Sequence, residues 1–272
     1  MRVGLMGFGK TGRAVSSMLL QSRKANLQWV MRRSRALEHR SAPEFLGIDS
    51  NEPGRIHSTS EMKAADLLDR YPVDVIVDFS SEDGINYYGR EAARRGIAIV
   101  SAVSKYSEQK LRFIRLLSGA TRVVHSPNIT LGVNFLIVAA KVLKKIAPYV
   151  DIEIVEEHFK TKPEVSGTAK VIASNLGLGD EAIKTIRAGG IVGVHEILFG
   201  FPHQTVRLKH ESIAREAFGS GILFVIDNMP QVPNGLFTVE DLMRPYFSLD
   251  DEEDTPDGGG TLWHEFLHYV EN

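Results

Sequence analysis

Met1-Arg2-Val3-Gly4-Leu5-Met6-Gly7-Phe8-Gly9-Lys10-Thr11-Gly12 is the stretch on which the fold turns. Residues 3–6 are a short apolar run that reads as a strand. Residues 11–20 follow with helical character, Ala14, Met18 and Leu19 falling to one side. Gly7, Gly9 and Gly12 therefore take the G-x-G-x-x-G spacing between a strand and a helix, the context in which it binds a dinucleotide. Gly7 permits the tight turn, Gly9 lets backbone approach a pyrophosphate, and Gly12 lets the helix pack on the strand. Phe8, Lys10 and Thr11 belong to the same loop, and the helix N-terminus faces the phosphate charge. The plain alternative is a tight turn in an α/β protein that binds no nucleotide.

Working outward, short β-like runs at 27–31, 73–79, 97–100 and 123–124 alternate with helical stretches at 62–70, 85–95 and 108–117. Residues 32–51 read as polar and irregular. Such alternation predicts βαβ units and a parallel sheet. Near-continuous apolar strands such as Val73-Asp74-Val75-Ile76-Val77 fit a sheet covered on both faces. The pattern changes after Asn128. A long helix is expected over 133–150, then β-like runs at 151–157, 191–199 and 204–210 with a helix at 167–176 among them. Residues 214–226 read as helix or buried segment. The expected architecture is α/β, a Rossmann-like dinucleotide-binding domain over 1–128 completed by 216–243. An α+β domain with a mixed sheet covers 129–215, and an acidic, glycine-rich extension covers 244–272.

The second strand runs into Arg32-Arg33-Ser34, where a site for an unphosphorylated ribose carries Asp or Glu. Two guanidinium forks and a hydroxyl suit a 2′-phosphate, so NADPH is the expected cofactor, with NADH possible. A solvated basic turn is the alternative. Further along, His158, Lys160 and Lys162 follow the strand-like 151–157, and Ser166-Gly167-Thr168-Ala169 opens a helix. A helix N-terminus with small, hydroxyl-bearing residues binds anions. The imidazole beside it offers a proton and the ammonium a fixed charge. Together they suit a small carboxylate substrate. A surface loop with solvated lysines and a capping serine would carry the same letters.

Composition narrows the classes. The chain has 272 residues, enough for one large domain or two small ones. It has no Cys, which excludes disulfide scaffolds, thiolate metal sites and a Cys nucleophile and fits a reducing, cytoplasmic setting. With 32 Lys+Arg against 34 Asp+Glu the net charge is −2, without the basic surplus of a nucleic-acid binder. No apolar run approaches the ~20 residues of a membrane span. His264-Glu265-Phe266-Leu267-His268 matches H-E-x-x-H, but Glu271 is the only candidate third ligand behind it. It is read as a short amphipathic helix with no metal. His195 and His210 are read as structural histidines.

Seven ordered blocks then carry a resemblance to the dihydrodipicolinate reductases. Gly9-Lys10-Thr11-Gly12-Arg13 is similar to the family's G-[RK]-M-G-[RK], and Val77-Asp78-Phe79-Ser80 to V-D-F-T. Ser126-Pro127-Asn128-Ile129-Thr130-Leu131-Gly132-Val133-Asn134 resembles A-P-N-F-S-x-G-V-N. Glu156 to Ala169 resembles E-x-H-H-x-x-K-x-D-A-P-S-G-T-A. Gly193-Val194-His195-Glu196 resembles G-E-H-E. His210 to Phe218 resembles H-x-A-x-S-R-x-x-F, and Gly235-Leu236-Phe237 the closing G-L-[FY]. The resemblance spans residues 1–243.

It implies a reductase in which nicotinamide delivers hydride to a cyclic imine dicarboxylate in lysine and diaminopimelate biosynthesis, and a substrate domain that forms a homotetramer through its sheet. His158 would be the proton donor and Lys162 the substrate-stabilising cation. Ser166, Gly167, Thr168 and Arg215 would bind carboxylate. Phe79, Ser80, Ser101, Val103, Pro127 and Asn128 would line the cofactor. The chain departs from the pattern at Phe159, where the family has a second His, and one residue is missing between Lys162 and Ser166. Ser101-Ala102-Val103-Ser104 replaces G-T-T-G. These changes surround the substrate and leave two other readings: a paralogue reducing a different imine or keto acid, or a non-catalytic dinucleotide sensor.

Overall fold

The first strand, β1 (Arg2–Met6), is buried over its last four residues, so it sits inside a sheet rather than at an edge. The computed structural model describes residues 1–247 and builds two sheets. After β1 come α1 (Lys10–Gln21), β2 (Asn26–Arg32), α2 (Ala42–Leu46), β3 (Arg55–Ser58), α3 (Ala64–Arg70), β4 (Val75–Asp78), α4 (Gly84–Arg94), β5 (Ala98–Ser101), α5 (Glu108–Ser118) and β6 (Arg122–His125). The chain continues through α6 (Leu131–Ile146), β7 (Asp151–His158), α7 (Gly167–Asn175), β8 (Ile183–Arg187), β9 (Val194–Phe201), β10 (Gln204–Glu211), α8 (Ala217–Asn228), β11 (Gly235–Phe237) and α9 (Val239–Met243). Among the described residues, no helix is long and apolar enough to cross a membrane.

The larger sheet has the order β11-β6-β5-β4-β1-β2-β3, and every pairing in it is parallel. Strand order reverses between β1 and β4, so the crevice outside their carboxyl ends is where a nucleotide binds in such sheets. Trp29, Ile76, Ile99 and Val123 from the strands pack with Leu67, Tyr88 and Ile114 from α3, α4 and α5. Burying each such side chain is worth roughly 1.5–3 kcal/mol. The smaller sheet, β10-β9-β7-β8, is mixed: β7 and β8 are parallel, the other pairs antiparallel. Ile152, Ile154, Ile197 and Phe199 bury one face of it under α6 and α7.

Several boundaries differ from the sequence expectation. The 32–51 stretch contains α2, capped by Ser41 Oγ accepting from Glu44 N. β3 was not expected because Arg-Ile-His-Ser carries one aliphatic residue in four. β8 was not expected because three of its five residues are exposed. The long helix stops at Ile146 instead of continuing to 150, since Pro148 disfavours helical backbone at Ala147, which has φ −129° and ψ 75°. Residues Met1–Leu242 form one compact unit and Met243 begins a second, of which a 3-10 turn at Arg244–Phe247 is described. The acidic run and His264 and His268 lie outside the described residues.

Helix α8 rests on backbone. A Cβ at Gly221 would lie 1.8 Å from the Ile129 carbonyl oxygen, and one at Gly219 would lie 2.4 Å from Met18 of α1. Gly→Ala inside a helix normally stabilises by about 0.5–1 kcal/mol. Gly221→Ala is expected to reverse that sign and destabilise by about 1–3 kcal/mol, because a main-chain oxygen cannot swing aside. Urea unfolding checks this, and a raised midpoint would contradict the packing.

Candidate active site

At the end of β1, Gly7 has φ +96°, a conformation open to glycine, and a Cβ there would lie 2.7 Å from the Phe79 oxygen. A Cβ at Gly12 would lie 2.1 Å from the Gly7 oxygen. At Gly9, the N-cap of α1, a Cβ would meet nothing within 4 Å. Gly7 and Gly12 are thus required by the turn itself. Gly9 leaves open space beside a helix N-terminus that no side chain caps. That cradle fits a pyrophosphate. Next to it lies a crevice of about 700 Å³ lined by Thr11, Phe79, Ser80, Val103, Lys105 and Pro127, among others.

The remaining nucleotide candidates divide. Lys10 is exposed. Phe8 is buried edge-on against Phe45 with ring centroids 5.4 Å apart, and the Arg13 guanidinium lies over both rings. Its side chain is therefore turned into the protein. Arg32 ends β2 half-buried, Arg33 and Ser34 are exposed, and no acid among the described residues pairs with either arginine. Ser101 is fully buried, its Oγ 2.8 Å from the Tyr106 hydroxyl and outside the crevice lining. Asn128 also faces inward: its Oδ1 accepts from Thr130 N and Oγ1, and its Nδ2 donates to Thr168 Oγ1 at 3.0 Å.

That last bond joins the crevice to the second cluster. β7 alternates, turning Ile152, Ile154, Glu156 and His158 inward. Glu156 is fully buried and meets four donors. His158 Nδ1 lies 2.5 Å from Oε2, and Arg187 gives Nη1 to Oε2 at 3.0 Å and Nη2 to Oε1 at 2.6 Å. Ser166 N completes the set at 3.3 Å from Oε1. Ser166 caps α7 by accepting from Ala169 N, and its Oγ lies 2.9 Å from His195 Nε2. The first N–H groups of α7, on Gly167 and Thr168, have no intrahelical acceptor and remain open to an anion. His195 stands edge-on to His158 at 5.4 Å. Lys162 is half-buried on the turn after His158. Arg215 is exposed, three residues beyond Ser212, whose N–H donates to the Gly193 oxygen.

Electrostatics follow from burial. His195 is pushed down to about 3, first by desolvation and then by the charges of His158, His210 and Lys162, against Glu156. Desolvation also lowers His158; Glu156 opposes this, while Lys162 and Arg187 reinforce it. Burial alone would raise Glu156, but bonds from Arg187, His158 and Ser166 outweigh it and hold the carboxyl below its usual range. Asp78, under the crevice, is raised by burial against bonds from Ser80 and Tyr88.

Glu156, Arg187, Gly193, His195 and Phe218 were not assigned to the site from sequence. The signal for Glu156 was available: an acid in the inward phase of β7 needs a buried partner. Nothing local marks Arg187, because β8 is a short edge strand. Gly193 matters by what it lacks, since a Cβ there would lie 3.1 Å from His158 Nε2. Phe218 lines the crevice edge-on to Phe79.

Comparison with known proteins agrees along most of the chain. A family model described as dihydrodipicolinate reductase, N-terminus, matches residues 1–129, and one described as dihydrodipicolinate reductase, C-terminus, matches 129–243. The 4-hydroxy-tetrahydrodipicolinate reductase of Caldanaerobacter subterraneus subsp. tengcongensis is 32% identical over 232 residues, 74% of this chain and 89% of that protein. The enzyme of that name from Alkaliphilus oremlandii is 31% identical, covering 68% and 85%. Among solved structures, the dipicolinate-bound dihydrodipicolinate reductase from Paenisporosarcina sp. TG-14 has a TM-score of 0.73 at 19% identity, covering 89% of this chain and 98% of its own. An amine dehydrogenase from Mycobacterium smegmatis has a TM-score of 0.60 at 12% identity, covering 88% and 95%, a likeness of fold alone.

The depressed histidine sets the direction of acid sensitivity. His195 is neutral when folded but titrates near 6.5 when unfolded, so the unfolded chain binds the extra proton. Stability from this ring is present above pH ~6.5 and is lost as pH falls toward 3, at up to about 1.4 kcal/mol per pH unit. Urea midpoints should drop from pH 7 to pH 4.5, with the His195 ring signals still neutral at pH 5. A midpoint that stays level would contradict the burial of that ring.

Proposed function

The chain belongs to the dihydrodipicolinate reductase family, and we propose that it reduces a cyclic imine dicarboxylate, dihydrodipicolinate to tetrahydrodipicolinate, with NADPH. Its place would be lysine and diaminopimelate biosynthesis. The observation that supports this reading is the Asn128–Thr168 bond, which ties the residue after crevice-lining Pro127 to the N-terminus of α7, near His158 and Lys162. Residues 1–128 with 216–243 would hold the nucleotide and 129–215 the substrate.

When bound, the reduced nicotinamide supplies the hydride. Gly7, Gly9 and Gly12 with the N-terminus of α1, joined by Lys10 and Thr11, would hold its pyrophosphate. Arg32, Arg33 and Ser34 would hold the 2′-phosphate, and Phe79, Ser80, Val103 and Pro127 the nicotinamide end. Phe8 and Ser101 would serve through their backbone, since their side chains are committed elsewhere. One substrate carboxylate would lie on the N–H groups of Gly167 and Thr168 with the Thr168 hydroxyl, beside Ser166, with Lys162 and Arg215 as cations. With the Glu156 carboxylate accepting at Nδ1, His158 would keep a proton there, and Nε2 would be the nitrogen that gives up a proton to substrate. Desolvation first and the Lys162 charge after it lower His158, and a dianionic substrate offsets the second of these, raising the basicity of the proton donor.

The half-exposed outer face of the mixed sheet, with Val155 and Leu198 central and Arg207 and Lys209 at its edge, would join four copies. A second reading, reduction of another imine or keto acid, is favoured by Phe159, which is 41% exposed next to His158.

NADPH oxidation with freshly generated dihydrodipicolinate tests the first reading against a panel of imino and keto acids, and turnover confined to the panel would sink it. His158→Gln is expected to lower kcat about 10²–10³-fold with a smaller change in KM. Lys162→Ala is expected to raise KM for the dicarboxylate. In a separate measurement, the Arg32→Ala/Arg33→Ala variant should raise KM for NADPH by about tenfold or more while leaving NADH nearly unchanged. An equal loss for both nucleotides would remove the 2′-phosphate assignment.

A further inference from the structure

A buried carboxylate with four donors is rarely there for packing alone, and Glu156 links His158, Ser166 and Arg187. Oε2 takes His158 Nδ1 and Oε1 takes the Ser166 N–H, so one side chain spans from the imidazole to the cap of α7. Arg187 closes the other side with both terminal nitrogens. The same guanidinium reaches the 160–165 loop, donating from Nε to the Lys162 oxygen at 3.2 Å and from Nη2 to the Glu164 oxygen at 2.9 Å. Position follows from register: β7 and β8 run parallel with His158 opposite Arg187, so Arg187 reaches back one inward residue to Glu156.

We propose that Glu156, clamped by Arg187, is the positioning residue of this site, holding the His158 ring with Nε2 aimed at the gap left by Gly193. The proposal rests on reading His158 as the proton donor. Glu156 does not itself reach substrate, because it is fully buried beneath the histidine. Its two tasks are separable. As an acceptor it selects the Nδ1–H tautomer, which leaves Nε2 as the nitrogen that exchanges its proton. As an anion it offsets the positive charge His158 carries in the donor state. Arg187 keeps Glu156 ionised, so the carboxylate does not take the imidazole proton for itself. The lack of a side chain at residue 193 leaves room beside Nε2, since a Cβ there would stand 3.1 Å away.

The charged and titratable groups facing the His158 ring are Glu156 on β7, Lys162 on the following turn, Arg187 on β8 and His195 on β9. Of these, Glu156 is the one anion, so its removal has a predictable sign. Glu156→Gln should lower the His158 midpoint by about one pH unit or more. The alkaline limb of the kcat profile should move to lower pH by the same amount. At pH 8, kcat should fall about tenfold or more, with KM for the dicarboxylate changed less than threefold.

The experiment is ¹⁵N histidine NMR from pH 4 to 9 on the wild-type chain and on Glu156→Gln, alongside steady-state kinetics. Wild type should show the Nδ1–H form when neutral, and the variant a mixture of tautomers. Because the Gln leaves half-buried Arg187 without its counter-charge, Glu156→Gln/Arg187→Met is measured in parallel. It removes both charges and should show the same loss of tautomer preference if the single variant fails to fold. An unshifted midpoint, an unchanged tautomer or a kcat within twofold of wild type would overturn the proposal. The NMR readout needs no turnover, so a wild-type protein inactive on the dicarboxylate would defeat the proposed function without touching this one.

Discussion

The ion pair of fully buried Glu156 with half-buried Arg187 constrains the smaller-sheet half of this protein more than any other contact. Removing two charges from water costs several kcal/mol per ion, and their attraction returns that only when the remaining lone pairs and protons are also satisfied. Here they are: the carboxylate receives four donors, and the guanidinium reaches two further carbonyls. Meeting those requirements fixes the end of β7, the 160–165 loop, the cap of α7 and the last residue of β8 at once. The edge strand β8 has little apolar reason to exist, since three of its five residues face solvent. Its contribution is to deliver Arg187.

The nucleotide half obeys a different constraint, which is steric. Gly12 lies so near the Gly7 oxygen, and Gly7 so near Phe79, that the β1 and β4 ends meet with no side chain between them. The two halves are then joined by the short stretch after β6. Ser126 Oγ donates to the Asn128 oxygen, Asn134 Nδ2 to the same oxygen, and Asn128 Nδ2 to Thr168. A connecting segment this fully bonded transmits position, so the glycine turn after β1 and the N-terminus of α7 are held in one frame.

Much of this was legible in the letters. The glycine spacing is a short-range steric pattern, and the apolar runs of a two-face-covered sheet are equally local. The order of elements, the mixed second sheet and the joining of Ser166–Thr168 to His158 were therefore readable. What escaped depends on distant pairings. β3, with His57 and Ser58 buried in it, is held by its register with β2 rather than by apolar content. Arg187 is twenty-nine residues from His158 in sequence and opposite it in space. His195 looked like an ordinary core histidine because its bond to Ser166 crosses from β9 to α7.

The loop after β5 shows how a departure from a family pattern can be read physically. Serine in place of the first glycine suggests a new hydroxyl in the crevice. Instead Ser101 Oγ is paired with the Tyr106 hydroxyl below it and also accepts from Val103 N. The Tyr106 ring is packed edge-on to His125, with centroids 5.1 Å apart. The extra polarity is thus absorbed beneath the surface, where an unpaired hydroxyl would cost about 1–3 kcal/mol. Of the block that replaces G-T-T-G, Ala102, Val103 and Ser104 line the crevice and Ser101 does not. Phe159, 41% exposed beside His158, is the departure from the family pattern that does present its side chain to solvent.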